Sequence, residues 1–250
     1  MAPLSGKTVL LTGATGAIGA AIARSLAAGG ARVLLHYGRN RAVAEALAGE
    51  IGNGAVALAA DLSDPAEPTR LWQVAEALGP VHALVNNAGI RSEVAIDAPL
   101  ADWQAVWARE MQVNLGAAVD LTRAAILHFR QIGGGRIVNM SSRAGQRGYS
   151  ATAMAYGASK AALINLTRSV AQSFGHEGIT AVALAPGWVR TEMAEDFIAR
   201  HGEAAALAGI PIGRMAAPEE IGELVAFVLR SSQASLNGAV LDVNGGSYLR

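Results

Sequence analysis

Short apolar runs recur along the chain, each closed by glycine, asparagine, serine or proline. Between them lie longer stretches in which apolar residues return every three or four positions. The short runs at Thr8–Leu11, Arg32–Tyr37, Ala55–Ala60, Val81–Val85, Arg136–Met140, Thr180–Leu184 and near Ala239–Val243 predict seven strands. A helix is expected to follow the first glycine turn as far as Ala28, with others over residues 100–132, Tyr156–Phe174 and Pro218–Leu229. Asp64 before Pro65 reads as the N-cap of a further helix. Residues 192–215 have a weaker pattern and predict a flexible helical flap over the substrate. Strands that are apolar throughout, alternating with helices, imply a sheet covered on both faces. The expected fold is α/β: a doubly wound Rossmann-type architecture with a seven-stranded parallel sheet and helices on both sides. With no repeat and no linker, residues 1–250 read as a single domain. A βα-barrel would need eight such units.

Composition narrows the function classes. Apolar residues are 52% of the chain and charged residues 16%, which fits a well-covered core and excludes a disordered chain. Twenty basic residues balance twenty acidic ones, so there is no field to hold nucleic acid or anionic lipid. Cysteine is absent, which removes disulfides, thiolate metal sites and thiol nucleophiles. No Gly-x-Ser-x-Gly occurs and the five histidines lack ligand spacing, so neither a hydrolase nor a metal site is expected. With no signal-like start and no run of membrane-spanning length, a soluble cytoplasmic protein is expected.

The candidate chemistry falls just after the strands, where an open α/β sheet forms its ligand crevice. Thr12–Gly19, with glycines at 13, 16 and 19, is either a phosphate-binding turn or a tight turn that lets helix pack on strand. The second strand ends in His36-Tyr37-Gly38-Arg39-Asn40, with no carboxylate at the slot that would bind a ribose 2′-hydroxyl. Arg39 there suits a 2′-phosphate, favouring NADP(H) and leaving NAD(H) open; the competing explanation is a solvated loop charge. Asp61 either accepts a hydrogen bond from a base or caps the next helix. Asn86-Asn87-Ala88-Gly89 is small and polar, and Asn114 interrupts an apolar helical face, as asparagines that tie backbones together do. Tyr156 and Lys160, four apart on a helix, leave the same face, so the ammonium is expected to lower the phenol's pKa, with the Ser142 hydroxyl ready to polarise a carbonyl. A Tyr-x-x-x-Lys pair alone also describes an ordinary snorkelling helix surface.

Taken together, the Thr-Gly turn, residues 86–89, Asn114, Ser142 with Tyr156-x-x-Ser159-Lys160, Pro186-Gly187 with Thr191, and Val243-Asn244-Gly245-Gly246 resemble the short-chain dehydrogenase/reductase family over essentially the whole chain. The tail from Pro211 is most similar to β-ketoacyl-carrier-protein reductase-like members. The resemblance implies an NADP(H)-dependent ketoreductase or alcohol dehydrogenase. Tyr156 would be its general acid or base, Lys160 would lower that pKa and hold the nicotinamide ribose, Ser142 would orient the carbonyl, and Asn114 would support a water-linked proton relay. It places Gly13, Thr15, Gly16, Ile18 and Gly19 at the pyrophosphate, and Tyr37, Arg39, Asn40, Asp61 and Leu62 at the adenosine end. Asn87, Ala88 and Gly89 come next, and Pro186, Gly187, Val189 and Thr191 line the nicotinamide end. The chain departs from this branch at Ala17, where the middle glycine usually stands, and at Gly16, where NADP users often carry a basic residue. Arg143, Tyr149, Trp188 and the flap are expected to choose a small-molecule carbonyl or alcohol substrate. The family also implies a homo-oligomer, dimer or tetramer, pairing through helices near 115–130 and 155–174. A non-catalytic NADP(H)-binding sensor on the same fold is the alternative.

Overall fold

The computed structural model describes residues 2–249. Seven strands form one parallel sheet: β1 (Thr8–Leu11), β2 (Arg32–Tyr37), β3 (Val56–Ala59), β4 (Ala83–Asn86), β5 (Gly135–Met140), β6 (Ile179–Pro186) and β7 (Val240–Val243). Their order is β3-β2-β1-β4-β5-β6-β7. The chain builds outward from β1 to β3, then returns to place β4 on the other side of β1, with Leu10 beside Leu34 on one flank and Leu84 on the other. That reversal opens a crevice at the carboxyl ends of β1 and β4.

Alternate residues of each strand feed opposite faces, which is why the strands read as unbroken apolar runs. Val9, Leu11, Val33 and Leu35 pack under α1 (Ala17–Ala28), and α2 (Arg41–Ile51) adds Leu47 to the same layer. Leu10, Leu34, Leu84 and Ile137 face the other way, toward Leu71 and Trp72 of α3 (Glu67–Ala77). On that side α4 (Leu100–Met111) passes through a π-helical segment, Gln112–Gly116, into α5 (Ala117–Ile132), which contributes Leu121 and Phe129. The expected single helix over 100–132 is therefore interrupted, with Asn114 inside the interruption.

A short α6 (Ala144–Arg147) leads to α7 (Met154–Phe174). The region 192–215 holds α8 (Glu192–His201) and α9 (Glu203–Leu207), which enclose a small apolar cluster of Ala194, Ala206, Ile210 and Met215. The last helix, α10 (Pro218–Val228), lies on α1 so closely that a Cβ at Gly222 would stand 2.6 Å from the Ala21 carbonyl oxygen. Contrary to the sequence expectation, Asp64 does not cap α3; it accepts from the Ala66 N–H at 2.9 Å, closing a turn of its own, and the helix begins later with Pro68 in its first turn. Among the described residues no helix is long and apolar enough to cross a membrane.

Candidate active site

Beyond Leu11 the chain turns into α1 through close backbone contact. Gly13 has φ +66°, and a Cβ there would stand 2.8 Å from the Ala88 Cα; at Gly19 a Cβ would stand 2.1 Å from the Gly13 carbonyl oxygen. Only glycine satisfies both positions. Asn87 clamps the turn from β4, its Nδ2 donating to the carbonyls of Thr12 and Gly13, both at 3.0 Å. The Thr12 hydroxyl oxygen accepts from the Asn87 and Ala88 N–H groups at 2.9 and 3.0 Å. No side chain caps the N-terminus of α1, so its first-turn N–H groups are left for an anion. The close packing of helix on strand accounts for the turn, and the uncapped N–H groups stay open to a ligand.

A cavity of about 540 Å³ follows the crevice. Gly13, Thr15, Gly16, Ile18, Gly19, Arg39, Asp61 and Leu62 line one end, and Asn87, Ala88 and Gly89 the middle. Ser142, Tyr156, Lys160, Pro186, Gly187, Trp188, Val189 and Thr191 line the other end. Tyr37 and Asn40, expected at the adenosine end, do not line it. Alternation along β2 turns His36 into the wall instead of Tyr37, and Asn40 lies at the start of α2. His36 Nδ1 accepts from the Gly13 N–H and Nε2 donates to the Ala60 carbonyl, both at 3.1 Å. One neutral tautomer serves both bonds, and burial pushes the imidazole pKa down accordingly. Asp61 accepts from the Ser63 hydroxyl and N–H at 2.7 and 3.0 Å; these bonds, helped by Arg39 and Arg109, hold its carboxyl below the usual range.

The first turn of α7 carries Tyr156, and Lys160 follows one turn later. Lys160 Nζ lies 5.7 Å from the Tyr156 ring centroid and donates to the Met140 carbonyl at 2.9 Å. Burial brings this ammonium down to about 8, opposed by the Glu110 carboxylate. The phenol moves against the sequence expectation: burial pushes Tyr156 above its ordinary value, and the opposing hydrogen bond comes from Ser142. Lys160 fails to acidify it because the ammonium is directed at a main-chain carbonyl and is itself desolvated. Ser142 and Tyr156 thus bring two hydroxyls together on one wall of the cavity.

Asn114 is buried and takes no part in the cavity wall. Its Oδ1 accepts from the Ile90 N–H at 2.7 Å, while Nδ2 donates to the Ile90 carbonyl at 2.9 Å and to Ser159 Oγ at 3.1 Å. These bonds tie the π segment to the loop after β4 and to α7. Gly89 completes the junction, since a Cβ there would stand 3.1 Å from Lys160 Nζ. Of the expected substrate residues, Trp188 lines the cavity. Arg143 is buried behind it, its N–H bonded to the Pro186 carbonyl at 2.9 Å, and Tyr149 lies beside Tyr156, their ring centroids 5.6 Å apart.

The family model for enoyl-(acyl carrier protein) reductases matches residues 13–248. A short-chain type dehydrogenase/reductase of Picea abies is 38% identical, covering 97% of this chain and 93% of its own length. The chain belongs to the short-chain dehydrogenase/reductase family. A 3-oxoacyl-(acyl-carrier-protein) reductase of Synechocystis is 33% identical over the full length of both proteins, 100% of each. A solved short chain dehydrogenase of Burkholderia cenocepacia in complex with NADP superposes with a TM-score of 0.88 at 36% identity, covering 98% of this chain and 99% of that one.

Several residues of this short-chain dehydrogenase/reductase site escape a sequence reading. Glu110 is the one buried residue of α4; its Oε1 accepts from the Ser92 N–H at 2.8 Å, and its Oε2 is buried without a partner. Burial pushes its carboxyl up, opposed by Ser92, Arg91 and Lys160. A charged residue on an amphipathic helix reads as solvated, and nothing local marks it otherwise. Arg109 also lies in the cavity wall, as does Ser141, which the end of the fifth strand marks together with Ser142 and which donates to the Lys160 carbonyl at 2.6 Å. For Arg109 the only signal is its position in α4.

Proposed function

We propose that this short-chain dehydrogenase/reductase is an NADP(H)-dependent oxidoreductase that moves hydride between nicotinamide and a carbonyl or hydroxyl carbon of a small molecule. The observation that carries the reading is one cavity with an uncapped helix N-terminus at one end and the Ser142, Tyr156 and Lys160 side chains at the other. The first turn of α1 would hold the pyrophosphate. Arg39, which lines the adenosine end and forms no ion pair among the described residues, would hold the 2′-phosphate. A solved relative binding NADP supports the same choice. When bound, the dinucleotide supplies or accepts the hydride.

Tyr156 gives a proton to the substrate oxygen in reduction and takes it back in oxidation. Ser142, hydrogen-bonded to the phenol, fixes that oxygen and stabilises charge growing on it. Two hydroxyls converging on one atom favour a polar C=O acceptor. Lys160 would hold the nicotinamide ribose. Asn114 is a positioning residue: its side chain is fully bonded, so it supports the proton path by fixing the Ile90 backbone and Ser159.

Replacing Tyr156→Phe is expected to lower kcat by about 10² to 10⁴ while NADPH affinity, read by fluorescence titration, stays unchanged. Turnover at the wild-type rate in that variant would overturn the reading. Wild-type protein that binds NADPH but oxidises it with no member of a diverse carbonyl panel would be a sensor instead.

A further inference from the structure

A second cavity, of about 480 Å³, adjoins the crevice, and its wall is basic. Two aromatic contacts separate the spaces. Tyr149 faces the second cavity with its ring 5.6 Å from that of Tyr156. Phe197 faces it too and packs at a tilt against Trp188, a crevice residue, with ring centroids 4.9 Å apart. A molecule in the second cavity is therefore one side chain away from the reacting centre on two sides.

Arg91 and Arg147 are in this wall, and the Arg91 guanidinium lies 5.4 Å from the Tyr149 ring centroid. Arg143, buried at the N-cap of α6, is close enough to feel the charge of both Arg147 and Tyr149. Arg91 pairs with Glu93 at 2.5 Å, yet its Nε is buried and has no hydrogen-bond partner. The Arg143 and Arg147 guanidiniums have no ion pair or hydrogen bond among the described residues. Glu110 is the other acid within reach of Arg91, and it is shared with Lys160. Around this wall four cations, Arg91, Arg143, Arg147 and Lys160, thus meet two carboxylates, although over the whole chain the charges balance, twenty against twenty. Arg91, which also bonds the Tyr149 hydroxyl, keeps a buried Nε–H without a partner, and the largely buried Arg143 guanidinium has no ion pair, so the wall holds donors suited to an anionic oxygen group.

We propose that the second cavity binds an anionic group of the substrate, a carboxylate or a phosphate, so that the enzyme acts on small oxo or hydroxy compounds carrying such a group near the reacting carbon. The inference rests on the proposed oxidoreductase reading and names its substrate class. Arg91 and Arg147 grip the anion, Arg143 adds charge from behind, and the Tyr149–Tyr156 contact sets how far the anion stands from the carbonyl.

The test uses two matched pairs of probes: 3-oxobutanoate with its methyl ester, and dihydroxyacetone phosphate with dihydroxyacetone. Binding of each to the NADP⁺-loaded wild-type protein, R91Q and R147Q is measured by calorimetry. In at least one pair the anion is expected to bind about ten- to a hundredfold more tightly than its neutral partner. That preference is expected to shrink toward unity in both variants, with affinity for the neutral probe unchanged. A preference in the first pair alone assigns a carboxylate, and in the second alone a phosphate. Neutral probes binding as well as the anions, neither anion binding, or a preference that survives in R147Q would overturn the proposal. Because the readout is binding, its failure is separate from that of the oxidoreductase reading, which Tyr156→Phe and the carbonyl panel decide.

Discussion

Lys160 concentrates the opposing demands of the site in one side chain. Its ammonium is buried, gains a single carbonyl partner at 2.9 Å, and has its pKa brought down from 10.5 to about 8. Between those two values the unfolded chain holds a proton that the folded protein has released, so stability rises as pH climbs from about 8 toward 10.5. Below about 8 the buried charge exacts its full cost, a few kcal/mol. Lys160→Met is therefore expected to raise the melting temperature of the free protein at pH 7 while abolishing turnover. The gain in wild-type stability between pH 8 and 10 should be missing from the variant. Thermal unfolding of both proteins across that range checks the sign, and a destabilised variant at pH 7 would contradict it. The phenol carries the complementary lesson. Residue spacing placed an ammonium next to Tyr156, but desolvation decided the direction of the shift, and it outweighs a neighbour turned toward Met140.

At the scale of the element, the glycine turn and the helix it opens are held as one unit by close backbone contact. Gly13 and Gly19 are fixed by contact, whereas Gly16 is free: a Cβ there meets nothing closer than the Gly13 carbonyl oxygen, at 4.0 Å, and the backbone φ of −78° suits any residue. Gly16 lines the cavity beside Arg39, so the basic residue that the family often carries there would fit. Gly16→Arg is expected to tighten NADPH about three- to tenfold and to change NADH much less, since it adds a charge-assisted partner for the 2′-phosphate, which NADH lacks. A cation at a helix N-terminus costs about 0.3–1 kcal/mol, so a small fall in melting temperature should accompany it. Equal effects on both cofactors would place the 2′-phosphate elsewhere. The π segment is the other element that matters, because it interrupts α4 and α5 where Asn114 reaches across to Ile90 and Ser159.

For the whole molecule, the sheet order sets the crevice and the outer helices set what the protein meets. Val119 and Leu127 of α5 are 40% and 44% exposed, large apolar side chains on a helix that the family resemblance assigns to subunit pairing. We expect light scattering to give a dimer or tetramer, and Leu127→Glu to shift it toward the monomer; a monomeric wild type at micromolar concentration would refute this. Much of the site was legible beforehand. The turn at 12–19, residues 86–89, Ser142 and Pro186–Thr191 each follow a strand, and parallel strands announce themselves by being apolar on both faces. Tyr37 stays outside the cavity wall because alternation along β2, not distance from the glycines, decides which side chain enters it, and Asn40 because it sits at the start of α2.

Local pattern thus determined the strands, most helices, the glycine turn and the residues at the carboxyl ends, since each depends on neighbours within a few positions. Only the tertiary structure decided that Glu110 is buried beside Lys160, that His36 bridges the turn to the residue after β3, and that Arg91, Arg147 and Phe197 line one cavity with Tyr149. Desolvation and charge at a point are sums over groups brought together from distant parts of the chain. No window along the sequence contains that sum.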